Sequence, residues 1–385
     1  MEENKTSVFS NGLLWFGAGI SIAEILTGML LAPLGFVRGF AAILIGHIIG
    51  GTVMFLAGLI GGRTGMSAME TVRISFGKQG ALLFAGLNVI QLIGWTAVMV
   101  ASAALAANTI AGIGTAVWSI ILGVLIAVWV LLGLKNLGKI NIVVITALFI
   151  LTIVLSVVIF HGNTPQASGE ISFGGAVELA VAMPLSWLPI ISDYTRTAKK
   201  PGLATAVSCT TYFIASSWMF LIGMGAALLT GQDDIAAIMV GAGMGLAGIL
   251  VVLLSTVTTT FLDAFSAGVS GKSLFPKVSE RTLALIATVL GVVLAIFAAA
   301  DQFQDFLYLI GSVFAPMTAI LISDYFVLHR DHSSESVNWL NIVLWVIGFG
   351  LYRFLLDVDT PLGITFPVIV VMMAASAAIH KFLGK

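Results

Sequence analysis

Apolar runs of about 20 residues, separated by short polar or charged stretches, repeat along the whole chain. A helix needs about 20 such residues to cross hydrocarbon. The pattern predicts twelve spans, at 11–33, 38–61, 80–111, 117–133, 140–161, 174–195, 203–230, 237–268, 282–300, 303–327, 338–354 and 364–382. The third, seventh and eighth exceed the minimum and predict tilt or interfacial turns. No soluble domain interrupts the series, so the whole chain, 1–385, reads as one all-α polytopic transmembrane domain.

Two spans depart from plain apolar helices. Gly17, Gly19, Ser21, Glu24, Thr27 and Gly28 gather near the middle of the first. Ser255, Thr256, Thr258, Thr259, Thr260 and Asp263 do the same in the eighth. Interrupted spans of this kind mark the binding site of a carrier. The carboxylates Glu24 and Asp263 sharpen the point. A charge at the centre of a membrane helix costs roughly 3 kcal/mol on insertion scales, so such residues face protein or a polar cavity.

Charge placement supplies orientation. With the N-terminus inside, 15 of the 17 Lys and Arg fall on the inner loops and ends, and only Arg38 and Arg353 fall outside. The inner set is Lys5, Arg63, Arg73, Lys78, Lys135, Lys139, Arg196, Lys199, Lys200, Lys272, Lys277, Arg281, Arg330, Lys381 and Lys385. This positive-inside bias predicts an even number of spans, cytoplasmic termini and a place in the cell (inner) membrane. Acidic residues at 170, 233, 234, 301, 357 and 359 fall on the outer side and weigh little in this rule.

Charged residues make up 9% of the chain and mean hydropathy is +1.10, against about 25% charged in soluble domains. The net charge of −1 argues against a nucleic-acid partner. A single cysteine, Cys209, excludes an intrachain disulfide framework. The polar opening MEENKTSVFSNG predicts no cleavable signal. No Walker-type glycine loop and no metal-enzyme cluster of His, Cys and carboxylates occurs, so the chain reads as a transporter rather than an enzyme. Most of the 42 glycines suit close helix packing in lipid.

Several segments resemble, in order, the nucleobase:cation symporter family, in particular its cytosine permease and hydroxymethylpyrimidine transporter branch. They are IGGRTGMSAMETVRISFGKQGA at 60–81, QLIGW at 91–95, SDYTR at 192–196, TVTTT at 256–260 and APMTAILISDYF at 315–326. The resemblance implies a LeuT-type fold: inverted five-helix repeats at 11–161 and 174–327 around a central site, with two further helices at 338–382. It also implies that substrate and sodium bind where the first and sixth helices break.

Candidate site residues follow from both sources. Asn88, Gln91 and Trp95 share one helical face by their spacing. A tryptophan suits a flat heteroaromatic ring, and amides suit ring nitrogens; core packing and helix–helix bonding suit the same residues equally. The resemblance implies that substrate stacks on Trp95. Cytosine permeases place a glutamine three residues before that tryptophan, whereas Gln91 lies four before it. In the sixth span Pro184 and Pro189 each remove a backbone donor around Ser186 and Trp187, and Ser186 matches a substrate-contacting serine of the family. Thr258 and Thr259 match its sodium-ligand hydroxyls, and Ser255 a carbonyl donor. Gly17 and Ile20 would supply the facing carbonyls. Hydroxyl and carbonyl oxygens suit a hard cation. Glu24 and Asp263 each offer an acceptor for a substrate amino group or ring N–H, with a proton as the alternative coupling ion. Asp193 and Arg196 lie toward the cytoplasmic end and read as structural or gating residues. His47 reads as a packed or hydrogen-bonded histidine.

The expected function is sodium-driven import of a small planar pyrimidine. Hydroxymethylpyrimidine, the thiamin precursor, leads because cytosine permeases carry a small residue near Glu24 and asparagines in the eighth span. Cytosine or another nucleobase is the alternative. An amino-acid carrier of the same fold is more distant, since Glu24 would repel a substrate carboxylate. A channel is disfavoured by broken helices around a closed site. The oligomeric state is not encoded in any of these patterns.

Overall fold

Ile20 and Ser21 break the first apolar run in two. The computed structural model describes residues 5–136, 138–161, 169–230, 235–241, 244–297 and 303–382, without the side chains of 134–136, 138–141, 230, 235, 238 and 241. Helix α1 (Val8–Gly19) ends where Ile20 turns out of helical geometry (φ −88°, ψ 80°), and α2 (Ile22–Leu30) starts from an extended Ser21. Ser21 is an N-cap whose hydroxyl accepts the Glu24 N–H at 3.3 Å. Such a cap satisfies one of the amides that a new helix start leaves open. The two halves bend by 49°.

The remaining spans follow the predicted order: α3 (Phe36–Thr64), α5 (Arg73–Ile110), α6 (Thr115–Asn136), α7 (Gly138–Ile159), α8 (Phe173–Ser186) with α9 (Ile191–Thr195), α10 (Pro201–Thr230), α12 (Gly245–Leu274), α13 (Glu280–Phe297), α14 (Phe303–Ile322), α15 (Trp339–Leu355) and α16 (Thr365–Phe382). The short helix α4 (Ala68–Thr71) precedes α5. The eighth span is displaced from its expected bounds of 237–268. Ile235–Gly241 forms a separate helix, α11, and the span itself runs over 245–274, because Gly245, Gly248 and the apolar run after them continue through Gly268 and Gly271. Among the described residues, ten helices are long and apolar enough to cross a membrane, or eleven with the bent first pair counted as one span. The eleventh predicted run is the shorter apolar helix Trp339–Leu355, of 17 residues. Lys385, Asp233, Asp234 and Asp301, and the side chains of Lys135 and Lys139, lie outside the described residues.

Small residues set the closest contacts. At Gly28 on α2 a Cβ would meet the backbone of Phe220, and at Gly223 on α10 it would meet the backbone of Ile25. The two helices thus touch backbone to backbone, as small residues permit in lipid. Gly223→Val is expected to force them apart at a cost of about 1–3 kcal/mol, read as a lower unfolding temperature of the detergent-purified protein.

The 60–81 segment acquires a physical reason. Gly77 sits at φ +76°, and a Cβ there would meet the carbonyls of Glu335 and Ser336. Those carbonyls accept the Lys78 and Gln79 amides at 2.9 and 2.8 Å, so the loop before α15 docks on the start of α5. Nearby, Glu70 closes a capping box with Ser67, and its Oε2 lies 3.5 Å from Arg196 of the α9–α10 connection. Partial burial works to raise the Glu70 carboxyl. The Ser67 amide and hydroxyl and the charges of Arg196 and Arg73 outweigh that and hold it below its ordinary value of 4.5. A carboxyl depressed by folding stabilises the fold above its unfolded-state value, and that contribution fades as pH falls through the folded value. Glu70→Gln is therefore expected to flatten the acid limb of a stability–pH profile below about pH 4.5, measured by thermal unfolding.

Candidate substrate and cation site

Four spans converge on one small cavity of about 10 Å³, room for about one water molecule. Ser21 and Ala23 line it from the break in the first span, and Trp95 and Met99 from α5. Met183, Ser186 and Trp187 come from the end of α8, and Thr259 and Asp263 from α12. The sixth span breaks between Ser186 and Ile191. Pro184 removes a donor, Trp187 and Leu188 close tight turns onto Pro184 and Leu185, and Ile190 leaves helical geometry at φ −137°, ψ −18°. The breaks of spans one and six therefore meet at one cavity.

The carbonyls freed by this second break are caught by α5. Asn88 donates through Nδ2 to the Pro189 carbonyl at 3.0 Å and to Ser270 Oγ at 2.9 Å. Gln91 donates through Nε2 to the Ser186 carbonyl at 3.2 Å and to Asn88 Oδ1 at 3.2 Å. The two amides thus lie behind the lining and pin span six to span three, while Trp95, one turn further on, reaches the cavity. Phe303 and Phe306 pack edge-on against the Trp95 indole, with ring centroids 6.0 and 5.5 Å away, which fixes its plane. On the opposite side Trp187 meets Trp15 edge-on at 5.3 Å, and both touch Tyr212.

Polar groups without partners collect here. Of the lining groups, Thr259 Oγ1, Trp95 Nε1 and Trp187 Nε1 are buried with no hydrogen bond among the described residues. Buried polar atoms are otherwise satisfied in the great majority of cases. Asp263, 3% exposed, opens its carboxylate to the cavity and accepts no hydrogen bond among the described residues. One cavity thus offers unpaired donors, a carboxylate acceptor and two indoles.

The two carboxylates occupy different places. Glu24 does not line the cavity. It turns toward α10, where Tyr212 donates to its Oε1 at 2.7 Å. Glu178, to which sequence reasoning assigned no role, is also fully buried. It accepts from the Tyr352 hydroxyl (2.6 Å), the Ile364 and Thr365 amides (2.6 and 2.8 Å) and the Thr365 hydroxyl (2.6 Å), tying span six to the last two helices. Its position in the run AVELAVAMPLS was the available signal.

Of the candidate cation ligands, Ser255, Thr258 and Thr259 lie on α12, which packs against α1. Thr258 returns its hydroxyl to the Leu254 and Ser255 carbonyls at 2.8 and 3.1 Å. On α1 the Gly17 carbonyl accepts the Ile20 amide at 3.1 Å, just before the break.

The sequence matches, over residues 1–336, a family described as permease for cytosine/purines, uracil, thiamine, allantoin. The chain belongs to this family. It is 27% identical to the cytosine permease of Escherichia coli K12 over 350 residues, 88% of this chain and 82% of that protein. It is 21% identical to the hydantoin permease of Microbacterium maritypicum over 398 residues, 91% of this chain and 81% of that one. Among solved structures it resembles Mhp1, a nucleobase-cation-symport-1 family transporter, in a closed conformation with bromovinylhydantoin bound. There the TM-score is 0.84 at 19% identity, covering 99% of this chain and 94% of that one. A Na⁺-coupled sialic acid symporter superposes with a TM-score of 0.73 at 14% identity, covering 99% and 90%. The permease is thus a multi-pass membrane transporter with the expected fold, of the nucleobase type, and its relatives are carriers rather than enzymes.

Proposed function

We propose that this permease imports a small planar aminopyrimidine, hydroxymethylpyrimidine first and cytosine as the alternative, by sodium symport. The observation that carries the reading is the set of unpartnered donors and the open Asp263 carboxylate around one cavity flanked by Trp95 and Trp187. An aminopyrimidine presents a flat ring, an exocyclic N–H donor and ring-nitrogen acceptors, which complement that set. Asp263 takes the amino group, Thr259 and the indole N–H groups face the acceptors, and the ring lies against Trp95. Met99 and Met183 add adaptable apolar contacts. In this reading the amino-group acceptor expected of Glu24 passes to Asp263, and Asn88 and Gln91 shape the site by holding span six. Ser186 and Trp187 supply the wall between its two halves.

Sodium fits the remaining oxygens. Thr258, Thr259 and the Ser255 carbonyl lie on α12, which packs against α1, the helix that ends at Gly17 to Ile20, and hydroxyl and carbonyl oxygens suit a hard cation. Residues 11–161 and 174–327 form the two repeats in this account, since each opens with its broken span. Alternating access then rocks one set of helices against the other around the site. The Lys and Arg bias supports cytoplasmic termini and a place in the inner membrane.

The test is a thermal-shift panel on purified protein: hydroxymethylpyrimidine, cytosine, uracil, purines, allantoin and amino acids, each with and without sodium. Stabilisation by an aminopyrimidine, enhanced by sodium, is expected. Stabilisation by amino acids alone would overturn the reading.

A further inference from the structure

Span ten does not end as a plain α-helix. After α14 the chain runs through a π-helical stretch at Ser323–Leu328, a departure that is frequent at functional sites. That stretch carries Asp324, the loop after it carries His332, and the last helix, α16, carries His380. One ligand atom from each of the three lies within 4.8 Å of the other two. They form no motif in the sequence, and it is the packing of α16 against the end of span ten that brings them together.

Each of these side chains is oriented by a second group. His332 Nδ1 lies 2.8 Å from Glu335 Oε1. A carboxylate only accepts, so Nδ1 carries the hydrogen and Nε2 of the neutral ring is a lone pair. That Nε2 is buried without a hydrogen-bond partner among the described residues. Arg330 Nη1 lies 2.7 Å from His380 Nδ1. A guanidinium only donates, so here Nδ1 is the lone pair, and His380 Nε2 donates to Asn341 Oδ1 at 3.1 Å. Asn341 in turn donates through Nδ2 to Asp324 Oδ2 at 2.9 Å and to the Ser75 carbonyl at 2.8 Å. Asp324 is 0% exposed, and its Oδ1 has no hydrogen-bond partner among the described residues. Among those residues it also forms no ion pair with either histidine.

Two imidazole lone pairs and one carboxylate oxygen therefore converge, and each imidazole donates its other N–H to an oxygen acceptor. Metal-bound histidines are held in this way. A set of two imidazoles and a carboxylate suits zinc and its first-row neighbours, whereas magnesium and calcium take oxygen ligands. Zinc bonds of about 2.0–2.2 Å in tetrahedral geometry put ligand atoms about 3.3 Å apart, so the three must close by at most about 1.5 Å. His332 sits on the loop and keeps 18% of its side chain exposed, which leaves it free to do so. Arg330 must also release His380 Nδ1, since guanidinium and metal need the same lone pair.

We propose that Asp324, His332 and His380 bind one divalent transition-metal ion of the zinc type, in competition with Arg330. The bound ion clamps the end of span ten to the last helix. It also bears on the start of span three, because the same loop is bonded there: the His332 amide donates to the Ile74 carbonyl at 2.8 Å and the Asn338 amide to the Phe76 carbonyl at 3.1 Å. The site is independent of which compound is carried.

Zinc titration of the full-length protein, freed of any affinity tag and stripped with EDTA, tests it. One Zn²⁺ per chain is expected to raise the unfolding temperature in detergent, with no effect of Mg²⁺. His332→Gln and His380→Gln are each expected to abolish the shift. Glu335→Gln, which touches no metal, is expected to weaken zinc binding roughly ten- to a hundred-fold. Arg330→Gln is expected to tighten it, because the competitor is removed. Co²⁺ in place of zinc is expected to give visible absorption bands that are lost in His332→Gln. The proposal is overturned if zinc in excess leaves the unfolding temperature unchanged, or if the shift survives both histidine variants, as it would for adventitious binding at His161 or His329. Should His380→Gln fail to fold, His332→Gln on the loop and Arg330→Gln decide the question.

Discussion

Asp263→Asn is expected to weaken aminopyrimidine binding by roughly ten- to a hundred-fold. A hydrogen bond to a charged group contributes about 1.5–3 kcal/mol, and each 1.4 kcal/mol is about tenfold in affinity. The expectation rests on the place of Asp263 in the cavity wall, where no protein group competes for its carboxylate among the described residues. Asn keeps the shape, loses the charge, and turns one acceptor into a donor that faces the substrate amino group. The loss should be selective: a ligand without an exocyclic amino group, such as uracil, should lose much less or gain. Equilibrium binding of cytosine and uracil to the two proteins measures both effects. An equal, small change for both ligands would place Asp263 outside the recognition of the amino group.

Glu178→Ala is expected to lower stability by about 3 kcal/mol or more. The carboxylate is fully buried and accepts four hydrogen bonds, two of them from the Ile364 and Thr365 amides where α16 begins. Alanine strands those amides and the hydroxyls of Tyr352 and Thr365, and each buried unsatisfied group costs about 1–3 kcal/mol. It also removes a negative charge from a helix N-terminus, where such a charge is favourable. Glu178→Gln, which retains an acceptor, should be milder. Unfolding temperature in detergent ranks the three proteins. Equal stability of Glu178→Ala and the native protein would mean that the last two helices are held by packing alone.

Much of the fold was legible because the bilayer leaves few options: backbone groups must be paired within each span, so apolar length alone marks the helices. The break in span one was legible in Gly19, Ser21 and Glu24, and that in span six in Pro184 and Pro189. The start of span eight was not, because residues 237–244 are as apolar as the span that follows and hydropathy does not mark where one helix ends and the next begins. The two carboxylates were equivalent as sequence, both isolated in apolar runs. What separates them is the direction each side chain takes from its helix, Glu24 toward Tyr212 on α10 and Asp263 into the cavity. That depends on packing between spans nearly 200 positions apart. Asn88 and Gln91 carried the right spacing for a shared face, but the partners on that face are carbonyls exposed by a break in another helix. Glu178 carried the same signal, a carboxylate in an apolar run, but its partners lie in the last two helices, far away in sequence.

Sealed proteoliposomes carrying an imposed sodium gradient, supplied with labelled hydroxymethylpyrimidine and labelled cytosine, give the most direct measurement. The account predicts accumulation of an aminopyrimidine above its outside concentration, abolished when the sodium gradient is collapsed and strongly reduced in Asp263→Asn. Absence of uptake of either pyrimidine by folded protein, or uptake indifferent to both sodium and Asp263, would contradict it.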